Sequence, residues 1–215
     1  YLRELVSRYA NRKTVYFWEL ANELNLLENL GFMDPEGKAD AWQLKGTESL
    51  FTYPIVRDQT NHFTTEDTVN FLRTTAELVK SIDQNHLVGS GHSAPRPAAF
   101  HLRQAQQTHQ QGDWTVDTAE QTLEYIRLTN PDPIDLISIH YYTEAQECFS
   151  GKPGNLDNIT RFAEISRQLG KPMYFGELGP PDNGYATPEQ VQWVQQAAAI
   201  LWHAEIPLSL FWTWN

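Results

Sequence analysis

The chain has 215 residues, 16 basic against 27 acidic side chains and a formal net charge of -11, a balance that excludes a basic phosphate-tracking surface and sets nucleic acid aside as a partner. At 40% hydrophobic and 12% aromatic it can bury a sizeable core, and its length fits one domain or part of a larger one while falling short of the about 250 residues typical of a closed eightfold barrel. No window approaches the roughly 18 consecutive apolar residues of a membrane span, so no membrane partner is expected, and the lone Cys148 cannot form an intrachain disulfide.

In chain order, Leu2, Leu5, Val6 and Tyr9 recur at helical spacing, and Thr14 to Leu20, rich in β-branched and aromatic residues, predicts a first strand. From Leu24 to Thr64, glycines and prolines break every period, which predicts a long loop with room for one short helix. Loops of that length inside a domain usually carry function. Thr64 or Thr65 caps a helix bearing Val69, Leu72, Ala76, Val79 and Ile82, after which His86 to Ser90 is a second strand. Ser93 to Val116 reads as irregular and polar. Asp117-Thr118-Ala119-Glu120 has the form of a capping box before a helix with Leu123, Ile126 and Leu128, stopped by Pro131 and Pro133.

Ile134 to Tyr142 is a third strand, and Asn155 to Leu169 a helix with Ile159, Phe162, Ile165 and Leu169 on one face and Gly170 as its stop. Pro172 to Glu177 is a fourth strand. Thr187-Pro188-Glu189-Gln190 combines a cap, a proline at the first helical position and a closing glutamine, opening a helix that runs to about His203. Pro207 to Trp214 is a fifth strand. Apolar strands alternating with amphipathic helices predict parallel βα units with strands buried on both faces. Alternation alone leaves two architectures open, a (β/α) barrel segment and an open flavodoxin-like sheet, and strand adjacency separates them.

In either architecture ligands gather at the carboxyl ends of parallel strands, and functional residue types collect there. Asn22 and Glu23 follow the first strand, His92 the second, His140 and Tyr142 end the third, Glu177 the fourth, and Trp212 and Trp214 the fifth. Two carboxylates on separate strand ends are what glycoside hydrolysis requires, one to protonate the leaving oxygen and one to attack the anomeric carbon or activate water. Asn22 can bond a sugar hydroxyl, Tyr142 can donate to a carboxylate, and a tryptophan offers a flat face to a pyranose. For His92, a cleft-lining role and that of a plain polar loop residue both stand.

The runs Trp18-Glu19-Leu20-Ala21-Asn22-Glu23, His140-Tyr141-Tyr142, Tyr174-Phe175-Gly176-Glu177 and Phe211-Trp212-Thr213-Trp214 resemble strands four, six, seven and eight of a family 5 (cellulase-like, clan A) glycoside hydrolase. The resemblance implies a (β/α)8 TIM barrel, with residues 1–215 forming a partial catalytic domain from about helix three to strand eight. It implies a retaining glycosidase acting on β-linked glucan, mannan or related oligosaccharides; no cofactor is expected, and the residue patterns give no support for a metal. Glu23 maps onto the acid/base and Glu177 onto the nucleophile. Asn22 maps onto the contact to the sugar 2-hydroxyl, His140 and Tyr142 onto the His-x-Tyr pair, and Trp212 onto the sugar platform, with Trp214 beside it. The arginine and histidine that the family carries on strands two and three have no counterpart, so the N-terminal part of the barrel is expected as a partner of this segment. A polysaccharide substrate would make the protein secreted or periplasmic. The alternative is a non-catalytic carbohydrate-binding protein on a degenerate barrel.

Other signals carry less. Gly89-Ser90-Gly91-His92-Ser93-Ala94 has dinucleotide spacing, but Pro95 and Pro97 oppose the helix that such a site needs. There is no His-Glu-x-x-His, no cysteine pair and no Gly-x-Ser-x-Gly. Asn158-Ile159-Thr160 is a glycosylation sequon inside a predicted helix. Phe32, Trp42, Phe51 and Tyr53 of the long loop suit either leaving-group subsites or a satellite core.

Overall fold

The computed structural model describes residues 1–30, 63–110, 112–142, 149, 156–180 and 187–212. Most of the long loop, with Phe32, Trp42, Phe51 and Tyr53, lies outside these residues, as do Cys148 and Trp214. The described elements are α1 (Leu2–Tyr9), β1 (Phe17–Glu19), a 3-10 turn (Leu24–Leu27), α2 (Thr65–Ile82), β2 (Leu87–Gly89), α3 (Ala99–Gln107), α4 (Ala119–Thr129), β3 (Ile137–Tyr142), α5 (Asp157–Leu169), β4 (Met173–Gly179), α6 (Pro188–His203) and β5 (Ser209–Phe211).

All strand pairs are parallel and sequential. β1 pairs with β2, a bridge from Gly89 to Leu136 joins β2 to the start of β3, and β3, β4 and β5 follow in order. An open doubly wound sheet would place some strands out of chain order. Here each strand lies beside the next, and side chains of the non-neighbouring β1 and β4 meet across the concave face, where the Phe17 and Tyr174 rings lie 4.7 Å apart. The sheet is therefore curved, and the chain forms consecutive units of a (β/α) barrel.

The convex face carries the core. Ile137, Ile139 and Tyr141 of β3 and Met173, Phe175 and Leu178 of β4 pack beneath Ile159, Phe162 and Ile165 of α5 and Ala197 and Leu201 of α6. Phe162 meets the Phe175 ring edge-on at 6.3 Å, and emptying such a site costs about 3–5 kcal/mol. A second cluster joins Val6, Leu72, Ala76, Val79, Val88 and Ile134. Sequence patterning predicts burial on both faces of every strand. β3 follows this, whereas β1 and β5, the outer strands of the described sheet, are half-buried to exposed.

The helix caps follow local chemistry closely. Thr64 with Asp67 and Thr187 with Gln190 each close a reciprocal box, and Gly170 ends α5 in the left-handed region at φ 65°. Two expectations need correction. The box of α4 is Thr118 with Gln121, one residue on from the one anticipated. Asp117 instead serves α3, a helix inside the segment expected to be irregular: its carboxylate accepts the Phe100 amide at 2.8 Å and the His101 amide at 3.2 Å, and holds His101 Nδ1 at 2.6 Å. The sequon asparagine Asn158 is buried and donates to the Tyr141 hydroxyl at 3.0 Å.

Candidate active site

Each expected site residue within the described part of the chain follows or ends its strand at the carboxyl side, and the backbone explains how. After β1 the chain bonds to the extension of β2, Leu20 N to Gly89 O at 3.1 Å and Glu23 N to Gly91 O at 2.7 Å. Gly91 stands at φ +77°, and a Cβ there would lie 1.8 Å from the Ala21 carbonyl oxygen, so only glycine fits. Glu23 itself is left-handed at φ 56°, a conformation that costs a non-glycine residue roughly 1–2 kcal/mol and persists where surroundings impose it. Asn25 supplies that constraint. Its amide clasps the Ser93 backbone in both directions, at 2.8 and 3.0 Å, in a buried setting.

β4 contains a bulge that delivers Glu177. Ile139 pairs with Phe175 but His140 pairs with Glu177, leaving Gly176 as the extra residue. A Cβ on Gly176 would come within 2.8 Å of His140 Nε2. The missing side chain lets the His140 ring lie against the strand, where it is 1% exposed.

The result is a convergence. His140 Nδ1 lies 3.1 Å from Glu23 Oε1 and 3.6 Å from Glu177 Oε1, and one donor atom from each of the three residues lies within 4.8 Å of the others. The two carboxylates remain 29% and 19% exposed, open to a ligand. A proton on Nδ1 is the tautomer that serves both carboxylates. Tyr142 donates its hydroxyl to the other Glu177 oxygen, Oε2. Burial raises the Tyr142 pKa well above that of a free phenol, helped by the hydrogen bond to Glu177 and the charges of Glu177 and Glu23. The phenol therefore stays protonated and remains a donor at every working pH.

The aromatic wall starts at Gly179, where an added Cβ would meet the Trp212 carbonyl oxygen at 2.4 Å and the Tyr142 ring at 3.4 Å. Trp212 is 58% exposed and Asn22 is exposed one residue before Glu23. Trp214, its expected companion, lies outside the described residues. Among the described residues, Glu23, His140 and Glu177 are also the side chains whose donors could surround a cation, although none was assigned to a metal from sequence.

His92 does not line the cleft. It is buried, with Nε2 3.0 Å from the Thr129 carbonyl oxygen, so the substrate-contacting role anticipated for it gives way to an interior one. Burial, aided by the nearby His140 charge, holds its pKa down to about 4 against the opposing Thr129 hydrogen bond. The unfolded chain binds a proton near pH 6.5 and the folded one does not, so stability is complete above that pH and is lost as pH falls toward about 4. In the whole protein, the urea midpoint of wild type should drop over this window relative to His92→Gln, and parallel curves for the two would contradict it.

Sequence reading missed Asn25, Gly91 and the role of Gly176. Their contacts join segments far apart in the chain, and no local pattern marks them.

No protein-family model and no curated protein matches this chain. Solved structures do. An endo-β-1,4-mannanase from Thermotoga petrophila aligns over 98% of this chain and 40% of its own at 18% identity and TM-score 0.51. The endoglucanase Cel5A of Thermotoga maritima aligns over 100% and 57% at 16% identity and TM-score 0.54. A family 44 xyloglucanase from Paenibacillus polymyxa aligns over 99% and 46% at 14% identity and TM-score 0.58. The chain thus spans about half the length of these structures, and the likeness carries the barrel architecture.

Proposed function

We propose that the protein is a retaining glycoside hydrolase that cleaves β-linked glucan, mannan or a related polysaccharide by double displacement. The observation that carries this is the convergence of Glu23 and Glu177, with oxygens within 4.8 Å of each other at the open ends of two strands. Retaining enzymes hold their carboxyl groups about 5–5.5 Å apart, whereas inverting ones leave about 6.5–9.5 Å for a water. A non-catalytic carbohydrate-binding barrel has no use for that approach. The similar structures named above are a mannanase, an endoglucanase and a xyloglucanase, which favours a β-linked backbone as substrate and, for so large a substrate, a secreted or periplasmic setting.

In this mechanism Glu177 attacks the anomeric carbon as Glu23 protonates the departing glycosidic oxygen. The covalent glycosyl-enzyme forms and the aglycone leaves. Glu23 then takes a proton from water, which attacks the same carbon and returns Glu177 to its free carboxylate. Tyr142, bonded to Glu177 Oε2, orients the nucleophile so that Oε1 faces the reaction. His140 holds the two acids in register. Asn22 lies beside Glu23 to meet the 2-hydroxyl, and the exposed Trp212 ring offers the sugar a stacking face.

Incubating the whole protein with a panel of β-glucans and β-mannans and following the new reducing end by proton NMR tests this. The β-anomer should appear first and mutarotate afterwards. Initial α-anomer would establish inversion, and no hydrolysis of any member, with binding retained, would establish the carbohydrate-binding alternative.

A further inference from the structure

Glu23 and Glu177 are carried by strands that do not touch. β2 and β3 lie between β1 and β4, so no backbone ladder sets the distance from one carboxylate to the other. At the level of the carboxylates His140 spans that gap. A second link spans it deeper in the concave interior. The Tyr174 hydroxyl of β4 donates to Glu19 Oε2 of β1, three residues before Glu177 and four before Glu23.

The surroundings of this link are built for it. Tyr174 is buried and its ring lies tilted by 60° against Phe17, with centroids 4.7 Å apart. Gly89 of the intervening β2 makes the space, since a Cβ there would stand 2.7 Å from the Tyr174 hydroxyl oxygen and 3.1 Å from the ring. Gly91 does the same for the acid, where a Cβ would lie 3.1 Å from Glu19 Cγ. Burial, the Glu19 charge and the hydrogen bond raise the Tyr174 pKa well above that of a free phenol, so the donor does not titrate away at working pH.

We propose that Glu19 and Tyr174 are a positioning pair, a cross-barrel tie that sets the spacing of β1 and β4 and through it the separation of Glu23 and Glu177. This deepens the hydrolytic assignment above and rests on it. Neither side chain touches substrate. They act through the two carboxylates, where a displacement of about 1 Å costs on the order of 10²-fold in rate.

Three single variants of the whole protein and one double variant test the pair. Tyr174→Phe removes only the hydroxyl and keeps the ring against Phe17. It should lower kcat by about 10–100-fold and leave KM within about twofold, because reacting groups are misplaced and ground-state binding is not. Glu19→Gln retains a carbonyl oxygen to accept the phenol proton and should stay within about threefold of wild type, whereas Glu19→Leu should match Tyr174→Phe. Combining Tyr174→Phe with Glu19→Leu should cost no more than either alone, as expected when both remove one interaction. A purely structural pair would instead lower the melting temperature and leave kcat in the folded protein unchanged, which overturns the proposal. Should Tyr174→Phe fail to fold, the contrast between Glu19→Gln and Glu19→Leu decides alone, and equal kcat in those two overturns it. Glu177→Gly is the control. If wild type is inactive, the hydrolytic assignment has failed; if Glu177→Gly still hydrolyses substrate, the nucleophile assignment has failed; if that variant is dead while Tyr174→Phe is fully active, only the positioning pair has failed.

Discussion

Glu177→Gly in the whole protein is expected to lose more than about 10³-fold in hydrolysis, since the covalent step then has no nucleophile. Azide should recover part of the rate by entering the space the carboxylate leaves. It approaches from the nucleophile's side, so one displacement occurs where two did, and the product is the α-glycosyl azide. Tyr142 loses its acceptor in this variant but keeps its packing against Gly179, and the helix-facing residues Phe175 and Leu178 are untouched. A melting temperature near that of wild type should confirm that the loss is chemical. A folded variant that neither hydrolyses nor forms the azide product would remove Glu177 from the nucleophile's role.

Glu23→Ala should behave differently in a way that identifies its part. Loss of a general acid costs about 10²–10⁴-fold where the leaving group must be protonated. With a dinitrophenyl glycoside, whose phenolate leaves unaided, the first step should be nearly normal and the glycosyl-enzyme should accumulate as a burst. Azide should speed its breakdown and give the β-glycosyl azide, the opposite configuration from the Glu177 variant. Equal losses on good and poor leaving groups would show that Glu23 is not the proton donor. The left-handed backbone at Glu23 is imposed by Gly91 and Asn25, so truncating the side chain leaves the turn in place.

The contrast between what was legible in sequence and what was not follows the range of the interactions. Thr64, Thr187 and Gly170 act within a few residues of themselves, and their helices begin and end where local chemistry says they should. The strand ends were legible for the same reason, because a carboxylate or histidine after an apolar run marks the rim of a parallel sheet. Helix α3 was hidden because its start, Ala98, has no capping side chain and its amides turn to Asp117, some sixteen residues away. Only the spacing of Ala99, Leu102 and Ala105 signals it, a small-residue stripe that is easily read as loop. His92 misled for a related cause: a histidine at a strand end is equally at home in a cleft or beneath it, and the Thr129 carbonyl that decides the matter is distant in sequence. The Glu19–Tyr174 link joins residues 155 positions apart and depends on Gly89 of β2 and on Gly91 just beyond that strand.

The bulge at Gly176 bears on how this strand can be compared or transplanted. Counting in twos from Met173 puts Glu177 on the face of Phe175, toward the helices, yet the carboxylate emerges on the concave side because one residue is absorbed in passing. The neighbouring β5 records the same slip, with Phe175 opposite Ser209 but Leu178 opposite Phe211. Any alignment that matches this chain to a barrel with an unbroken strand must therefore open a one-residue gap at Gly176 or else assign the acid to a helix-facing position. For a designer moving this rim to another scaffold, Phe175, Gly176 and Glu177 form the smallest transferable unit, and His140 has to travel with them to occupy the space the glycine leaves.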